Sequence, residues 1–287
     1  MKFSVVIATK DRAALLDGAL ASLRAQQNAP EHELIVVDNG SADATPEVAR
    51  KHGALYAFVA EPNRGKARNA GIARASGDVI AFVDDDVMTP PHFLAAHATA
   101  HDAGMFPLAV SGPIVNVPDP AVRPLPTAAN VSRAFFVTCN VSVRASALRA
   151  VGGFDEAFDL YGWEDTELGA RLRAHGVRRA FAWDAYLWHI KPPTPESLED
   201  ALGKAIEKAR MAARFVQKMP TRRVKLATGA YGLNLLRARL LNPGFAQPLF
   251  AGLASSSRIP PAVAQLARGA LLDSVYTEEL DRQLRGR

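Results

Sequence analysis

Short apolar runs of strand length alternate with helical spacing along the first part of the chain. Phe3-Ser4-Val5-Val6-Ile7-Ala8 reads as a strand, closed by the polar turn Thr9-Lys10-Asp11-Arg12. Leu15, Leu16, Ala19, Leu20 and Leu23 then recur on one face of a helix. Glu33-Leu34-Ile35-Val36-Val37 is a second strand ending in Asp38-Asn39-Gly40-Ser41, and a helix capped by Asp43 or Thr45 runs to about Gly53. A third, weaker strand covers Leu55 to Val59, followed by the basic stretch Asn63 to Gly71 and a helix to about Ser76. The fourth strand, Asp78 to Val83, is apolar at successive positions, as a strand buried on both faces must be. It ends in three consecutive carboxylates, Asp84, Asp85 and Asp86.

Strands alternating with helices predict a parallel sheet with right-handed crossovers. Residues 107–132 are proline-rich with little periodicity and suggest an excursion across the sheet edge. Phe135 to Val143 returns as a strand through Cys139-Asn140, and Gly152-Gly153-Phe154-Asp155 is a turn. Trp163-Glu164-Asp165 opens a helix with Leu168 and Leu172 on one face, and Ala180 to His189 is a final strand stopped by Pro192-Pro193. Beyond Pro195 the pattern is helical, with Leu198, Leu202, Ala205, Ile206 and Ala209 on one face. Two or three more helices follow, broken at Pro220, Asn242-Pro243 and Pro260-Pro261. The expected division is an α/β domain over residues 1–193 and a basic helical extension over residues 194–287.

With 287 residues, 48% of them hydrophobic, the chain can bury a large core. Cys139 is the only cysteine, so neither an internal disulfide nor a cysteine-based metal site is expected, in keeping with a reducing compartment. No leader-like segment opens the sequence and no apolar run approaches about 18 residues, so a cytoplasmic protein is expected. The net charge of +5 is uneven: from Lys218 onward there are 11 Lys and Arg against 4 Asp and Glu, a net of +7 that leaves −2 for the rest. Leu233, Leu235, Leu236, Leu240 and Leu241 around Arg237 and Arg239 fit either peripheral contact with an anionic membrane or a homodimer face. Nothing interleaves aromatic and basic residues along a groove, so no nucleic acid is expected as a partner.

The chemistry gathers at the ends of strands. Parallel strands present their carboxyl ends on one rim, where open α/β sheets bind ligands, so Thr9, Asp11, Asp38, the Asp84–Asp86 triplet and His189 are expected to share a crevice. Adjacent acids repel unless a cation sits among them, and a hard divalent ion that also holds phosphates suits the place. Each group alone has a plainer explanation. The triplet could be a solvated turn before Pro90-Pro91, Asp38 a turn former, His189 structural, and Lys66 and Arg68 the solvated start of a helix. Together they fit a nucleoside diphosphate: an acid for a base N–H or ribose hydroxyl, basic groups at a helix start for phosphate, a carboxylate and an imidazole for a metal. The chain has neither a G-x-x-x-x-G-K-[ST] loop nor a G-x-G-x-x-G after its first strand, which excludes P-loop chemistry and argues against a dinucleotide dehydrogenase. Glu164 and Asp165 could be pure helix-dipole chemistry, favourable by roughly 0.3–1 kcal/mol. With Trp163 in front they equally suit a sugar ring stacked on the indole, its hydroxyls addressed by acids, one of them a general base.

The order of Ser4-Val-Val-Ile-Ala-Thr9, Val36-Val-Asp38-Asn-Gly-Ser41, Asn63-Arg-Gly-Lys-Ala-Arg-Asn69, Phe82-Val-Asp84-Asp-Asp86, Gly152-Gly-Phe-Asp155 and Trp163-Glu-Asp165 resembles the family-two glycosyltransferases with the GT-A fold, from residue 3 to about 193. The Trp-Glu-Asp segment and the His189-Ile-Lys-Pro-Pro193 ending also resemble bacterial chondroitin-type polymerase domains and the galactosyltransferase family that shares their Glu-Asp motif. The resemblance implies a Rossmann-like, mostly parallel sheet flanked by helices. It implies donor-nucleotide contacts from Thr9, Asp11, Asp38, Lys66, Arg68, Asp84 and Asp85, with Mn²⁺ or Mg²⁺ on Asp86 and His189. Trp163 and Glu164 would meet the acceptor, and Asp165 would be the base of an inverting transfer from a UDP-sugar to a hydroxyl of a glycan or small molecule. Two other readings are a nucleotidyltransferase that makes a sugar nucleotide, which leaves Trp163-Glu164-Asp165 unexplained, and a silent partner in a glycan-assembly complex docked through the basic helices.

Overall fold

The computed structural model describes residues 1–191, 196–256 and 258–286. The Pro192-Pro193 stop and the 193/194 boundary read from the sequence lie outside the described residues. Two compact units are distinct: Met1–Asp159 with Glu164–Pro193, and Leu160–Trp163 with Thr194–Arg287.

In the first unit β1 (Phe3–Thr9), α1 (Ala13–Arg24), β2 (His32–Asp38), α2 (Thr45–Lys51), β3 (Leu55–Phe58), α3 (Arg64–Arg74) and β4 (Val79–Val83) follow the alternation of the sequence. After them come β5 (Val87–Met88), α4 (Phe93–Asp102), β6 (Leu108–Ser111), β7 (Ile114–Val117), β8 (Asn140–Arg144), α5 (Ala145–Ala150), α6 (Glu164–Ala174), β9 (Arg178–Phe181) and β10 (Leu187–Ile190). Among the described residues seven strands form one sheet in the order β3-β2-β1-β4-β8-β6-β9, parallel throughout except that β8 runs against both neighbours. Side chains alternate across a strand, so Val5 and Ile7 of β1 meet Leu16 and Leu20 of α1 and Phe93 of α4. Val6 points the other way, into a core with Ile72 of α3 and Leu168 and Leu172 of α6. Both faces are covered, which is why β4 is apolar at every position. Each such fully buried side chain contributes roughly 1.5–3 kcal/mol.

A second, three-stranded sheet has the order β5-β10-β7. It begins where the acids end: Ile190 N donates to Asp86 O at 2.8 Å, and His189 stands opposite Val87. The turn after β6 passes so close to the one before β10 that a Cβ at Gly112 would lie 1.8 Å from Ala185 O.

Three expectations change. The single strand from Ala180 to His189 is two, β9 in the large sheet and β10 in the small one, separated by a turn in which Ala185 N donates to Ala182 O. His189 therefore reaches the acids through the second sheet, not along the rim of the first. The excursion at 107–132 contains β6, an interior strand, and β7, each too short for its periodicity to register. The returning strand starts at Asn140, not Phe135.

In the second unit the described residues form α7 (Leu198–Lys218), α8 (Arg222–Thr228), α9 (Gly232–Leu241), α10 (Gln247–Ala254) and α11 (Pro261–Leu284). The helical region is divided once more than its prolines suggest, because Gly229, at φ +75°, caps α8 in the left-handed conformation. α7 packs along α11, tied by Arg210 Nε to Glu279 Oε1 at 2.8 Å.

Beneath β8 lies a buried polar chain whose hydrogens are fixed by its far end. Asn140 Nδ2 donates to Pro113 O (3.1 Å) and Ala185 O (2.8 Å), so its Oδ1 accepts, from His97 Nε2 at 3.1 Å. His97 Nδ1 must then accept from Ser142 Oγ (2.8 Å), and Ser142 in turn accepts from His101 Nε2 (2.9 Å). His97 is thereby neutral. Burial pulls His97 down to about 3, with the His101 charge adding to it, and burial then Arg144 pull His101 down to about 4. Unfolded histidines bind protons near pH 6.5, so the unfolded chain takes up protons that the native state refuses. The stabilisation is complete above about pH 6.5 and is lost as pH falls toward 4, at about 1.4 kcal/mol per pH unit for each histidine. Urea unfolding should show this fall between pH 6.5 and 4.5, and His97→Gln should flatten it by about one proton.

Candidate active site

β1 and β4 lie side by side where the strand order reverses, the place at which open α/β sheets bind ligands. At the end of β1 the Thr9 hydroxyl donates to Asp85 Oδ2 at 2.7 Å. Arg12 Nη1 reaches Asp85 Oδ1 at 3.0 Å and Asp86 Oδ2 at 3.1 Å. Because β8 is antiparallel, Asn140 stands opposite Val83, and Cys139 arrives beside the acids. His189 Nε2 lies 3.0 Å from Asp86 Oδ1, and Lys191 Nζ 3.9 Å from Asp86 Oδ2. Burial pushes Asp84 up, opposed by Arg68, and it pushes Asp85 up against the Thr9 hydrogen bond and Arg12. For Asp86 burial acts the same way, but His189, Lys191 and Arg12 outweigh it and hold the carboxyl below the usual carboxylate range.

Among the described residues Asp84, Cys139 and His189 each offer a ligand atom within 4.8 Å of the others. Among the described residues Asp86 Oδ1 is buried without a hydrogen bond, its approach to His189 lacking the alignment of one. Buried carboxylate oxygens are rarely left so. An orphaned oxygen beside an imidazole and a second carboxylate suits a divalent cation. Cys139, for which no cysteine-based metal site was expected, is one of the three residues in this group.

The second cluster is built on the first turn of α6. Thr138 donates from both its backbone N (3.0 Å) and its hydroxyl (2.9 Å) to Asp165 Oδ2. Among the described residues Asp165 Oδ1 makes no hydrogen bond, and it lies 3.6 Å from Arg68 Nη1. The same Nη1 donates to Glu164 Oε1 at 3.3 Å. Burial pushes Glu164 up, the Asp165 charge adds to it, and Arg68 opposes both. Arg68 also bears electrostatically on Asp84, so one buried guanidinium serves both clusters.

The other sequence-derived candidates are placed as follows. Asp38 is fully buried, accepting from Ser41 N (2.7 Å) and from the Tyr56 hydroxyl (2.8 Å), which burial and Asp38 push up to about 12. Asp11, at φ +52°, accepts from Ala42 N at 2.7 Å. Lys66 is not brought to the acids, because its Nζ pairs with Glu61 at 2.9 Å on the surface. Trp163 has φ +74°, a strained value for a bulky residue. Its indole N–H donates to Lys208 O at 3.0 Å and the Lys208 ammonium sits 5.6 Å from the ring centroid, both within the helical unit. Sequence reasoning gave no role to Arg12, Thr138, Asn140 or Lys191. Arg12 ends the turn after β1 and Lys191 follows His189, so proximity in the chain was a usable signal. Thr138 and Asn140 offered none, because their partners are distant in sequence.

Residues 4–152 match Glycosyl transferase family 2, and residues 128–191 match the family described as the N-terminal domain of galactosyltransferase. The chain belongs to glycosyl transferase family 2. A validoxylamine A glucosyltransferase of Streptomyces hygroscopicus subsp. limoneus is 32% identical over 263 residues, 76% of this chain and 57% of that relative. A second such enzyme, from subsp. jinggangensis, has the same identity and is covered to 61%, so the chain spans about three-fifths of the length of these curated relatives. The mannosyltransferase PcManGT of Pyrobaculum calidifontis, solved with GDP-Man and Mn²⁺, superposes with a TM-score of 0.58 at 21% identity, covering 98% of this chain and 85% of that one. S. aureus TarS (residues 1–349), solved with UDP, gives 0.55 at 21% identity, covering 100% and 92%. The fold is the GT-A fold, a mostly parallel sheet flanked by helices and followed by a helical region, as the sequence motifs implied.

Arg68 is the cation on which Glu164, Asp165 and Asp84 depend. Removing one partner from a buried ion cluster destabilises by roughly 3–5 kcal/mol. Arg68→Met should lose about that much at pH 7 in urea unfolding and less as the pH approaches 4, where the stranded carboxyls take protons and need no counter-charge. A loss independent of pH would show that Arg68 matters only for packing.

Proposed function

We propose that the chain is an inverting glycosyltransferase that moves a sugar from a nucleoside-diphosphate sugar, a UDP-sugar, to a hydroxyl of a glycan or small-molecule acceptor. The observation that carries this reading is Asp165, with one carboxylate oxygen anchored by Thr138 and the other without a hydrogen bond. That is the state a general base needs: fixed in orientation, with a lone pair to spare. In the transfer Asp165 Oδ1 takes the acceptor hydroxyl's proton as that oxygen bonds to the anomeric carbon. The bond from that carbon to the phosphate oxygen breaks on the opposite side, and the configuration inverts. Glu164 is assigned a neighbouring acceptor hydroxyl, and Trp163 is assigned acceptor contact on chain adjacency.

At the other cluster Arg12 and Lys191 concentrate positive charge beside the acids. Asp86 and His189, with Asp84 alongside, would hold Mn²⁺ or Mg²⁺, which supplies positive charge to the departing diphosphate. Thr9, Asp11, Asp38 and Asp85 are assigned to the nucleotide of the donor. Of the two basic candidates for the diphosphate, Arg68 stands among the acids, while Lys66 must leave Glu61 to take part. The neighbours solved with UDP, and with GDP-Man and Mn²⁺, support the donor class and the metal by analogy.

Catalysis is assigned to residues 1–193, and the helical extension to peripheral contact with an anionic membrane. No helix of the described residues is long and apolar enough to cross a bilayer. However, Leu233, Leu240, Phe245 and Leu249 are 62–89% exposed on a segment whose only charged residues are Arg237 and Arg239, and interfacial helices use such apolar residues beside basic ones on anionic lipid.

Asp165→Asn should lower kcat by about 10²–10⁴-fold while leaving sugar-nucleotide affinity within about twofold, and chelation should silence the wild type. Wild-type turnover by Asp165→Asn, or in chelator, would overturn the corresponding role. A hydrolysis screen over sugar nucleotides identifies the donor. The full chain should co-sediment with anionic but not neutral vesicles, and Leu240→Glu with Phe245→Glu should abolish it. Equal binding to both vesicle types, or a dimer lost in the same variant, would give that face another purpose.

A further inference from the structure

Cys139 is 6% exposed, a burial typical of a small hydrophobic residue, but its surroundings are not those of a hydrophobe. The antiparallel entry of β8 sets it beside the end of β4. There its sulfur lies within 4.8 Å of ligand atoms of both Asp84 and His189. Ligand atoms about 2.0–2.3 Å from a shared ion are separated by roughly 3–4.5 Å, so small adjustments bring all three onto one centre. A second observation points to the same spot: Asp86, itself 6% exposed, keeps Oδ1 without a hydrogen bond beside His189. Three elements of different sequence origin thus converge: the end of β4, the entry to β8, and β10.

We propose that Cys139 supplies a sulfur ligand to the divalent-ion site, making it a mixed oxygen, nitrogen and sulfur site that favours Zn²⁺, Co²⁺ and Cd²⁺ over Mg²⁺. The proposal rests on the metal-dependent reading above and adds to it the identity of a ligand and the class of ion. Mg²⁺ requires oxygen donors in near-octahedral array, whereas a thiolate selects softer ions. The thiol proton leaves to solvent as the ion enters, so the sulfur binds as thiolate and the net charge of the acid cluster is more fully balanced. A protein with this ligand set should lose activity in trace Zn²⁺ or Cd²⁺ that displaces the working ion.

Cys139 is the only cysteine, which gives the test a single spectroscopic source. Co²⁺ titrated into the metal-free full chain, with and without UDP, should produce visible d–d bands together with a near-ultraviolet thiolate-to-Co²⁺ charge-transfer band, both saturating at about one ion per chain. Cys139→Ser should keep the visible bands, lose the ultraviolet one, and bind Cd²⁺ at least about tenfold more weakly with Mg²⁺ affinity undiminished. Visible bands without charge transfer in the wild type would overturn the sulfur ligand and leave the metal site standing. Absence of Co²⁺, Zn²⁺ and Mn²⁺ binding under both conditions would overturn the two together. The wild-type spectrum decides the matter even if the serine variant fails to fold.

Discussion

Three adjacent carboxylates at the end of a strand buried along its whole length set the terms for everything around them. Like charges about 4–5 Å apart repel by roughly 3–4 kcal/mol per pair at the effective dielectric of a protein surface. The chain answers with cations drawn from separate places, Arg12 after β1, Arg68 on α3 and Lys191 just past β10, with the His189 imidazole beside Asp86. Arg12 bridges Asp85 and Asp86, Lys191 also approaches Asp86, and Arg68 bears on Asp84, so the triplet is answered from several sides. Asp85 is held by Thr9 and Arg12, Asp84 answers to Arg68, and Asp86 keeps an oxygen to spare.

The segment Thr138-Cys139-Asn140 joins this electrostatic arrangement to the fold. Thr138 fixes Asp165 on α6, Cys139 stands at the acids, and Asn140 ties β8 to the turns that carry the small sheet. A displacement of this one segment would move Asp165, the acid cluster and the second sheet together. The buried His97–Ser142–His101 chain behind it fixes its orientation without any charge, a neutral network in which each donor has one acceptor. Satisfied networks of this kind specify a single packing at little free-energy cost.

Among the described residues, positive φ at non-glycine positions occurs at Asp11, Asn28 and Trp163. Asp11 and Trp163 are non-glycine residues held at positive φ, one beyond β1 and the other immediately before Glu164. Strain of this order, about 1–3 kcal/mol, persists where the surroundings over-determine the conformation, commonly at functional sites. Asp11 is held by hydrogen bonds to Ser41 and Ala42, and Trp163 by its contacts with Lys208 and Phe215 in the helical unit.

The sequence by itself determined the first four strands, their helices and the acidic ending of β4. These rest on local rhythm: apolar positions at period two or 3.6 must be buried, and a strand covered on both faces has only one way to be written. It also determined that Asp165 opens a helix and that His189 ends a strand. What only the tertiary structure decided is which partners these groups meet. Nothing local says that β8 runs antiparallel, yet that one reversal puts Cys139 beside Asp84 and Thr138 beside Asp165. Nor does the run from Ala180 to His189 reveal its break, because β9 and β10 are each four residues long and their separation depends on pairing with β6 and with β5 and β7. Pairing between distant strands is fixed by the balance of the whole sheet, and a charge such as Arg68 finds its acids only after that balance is struck.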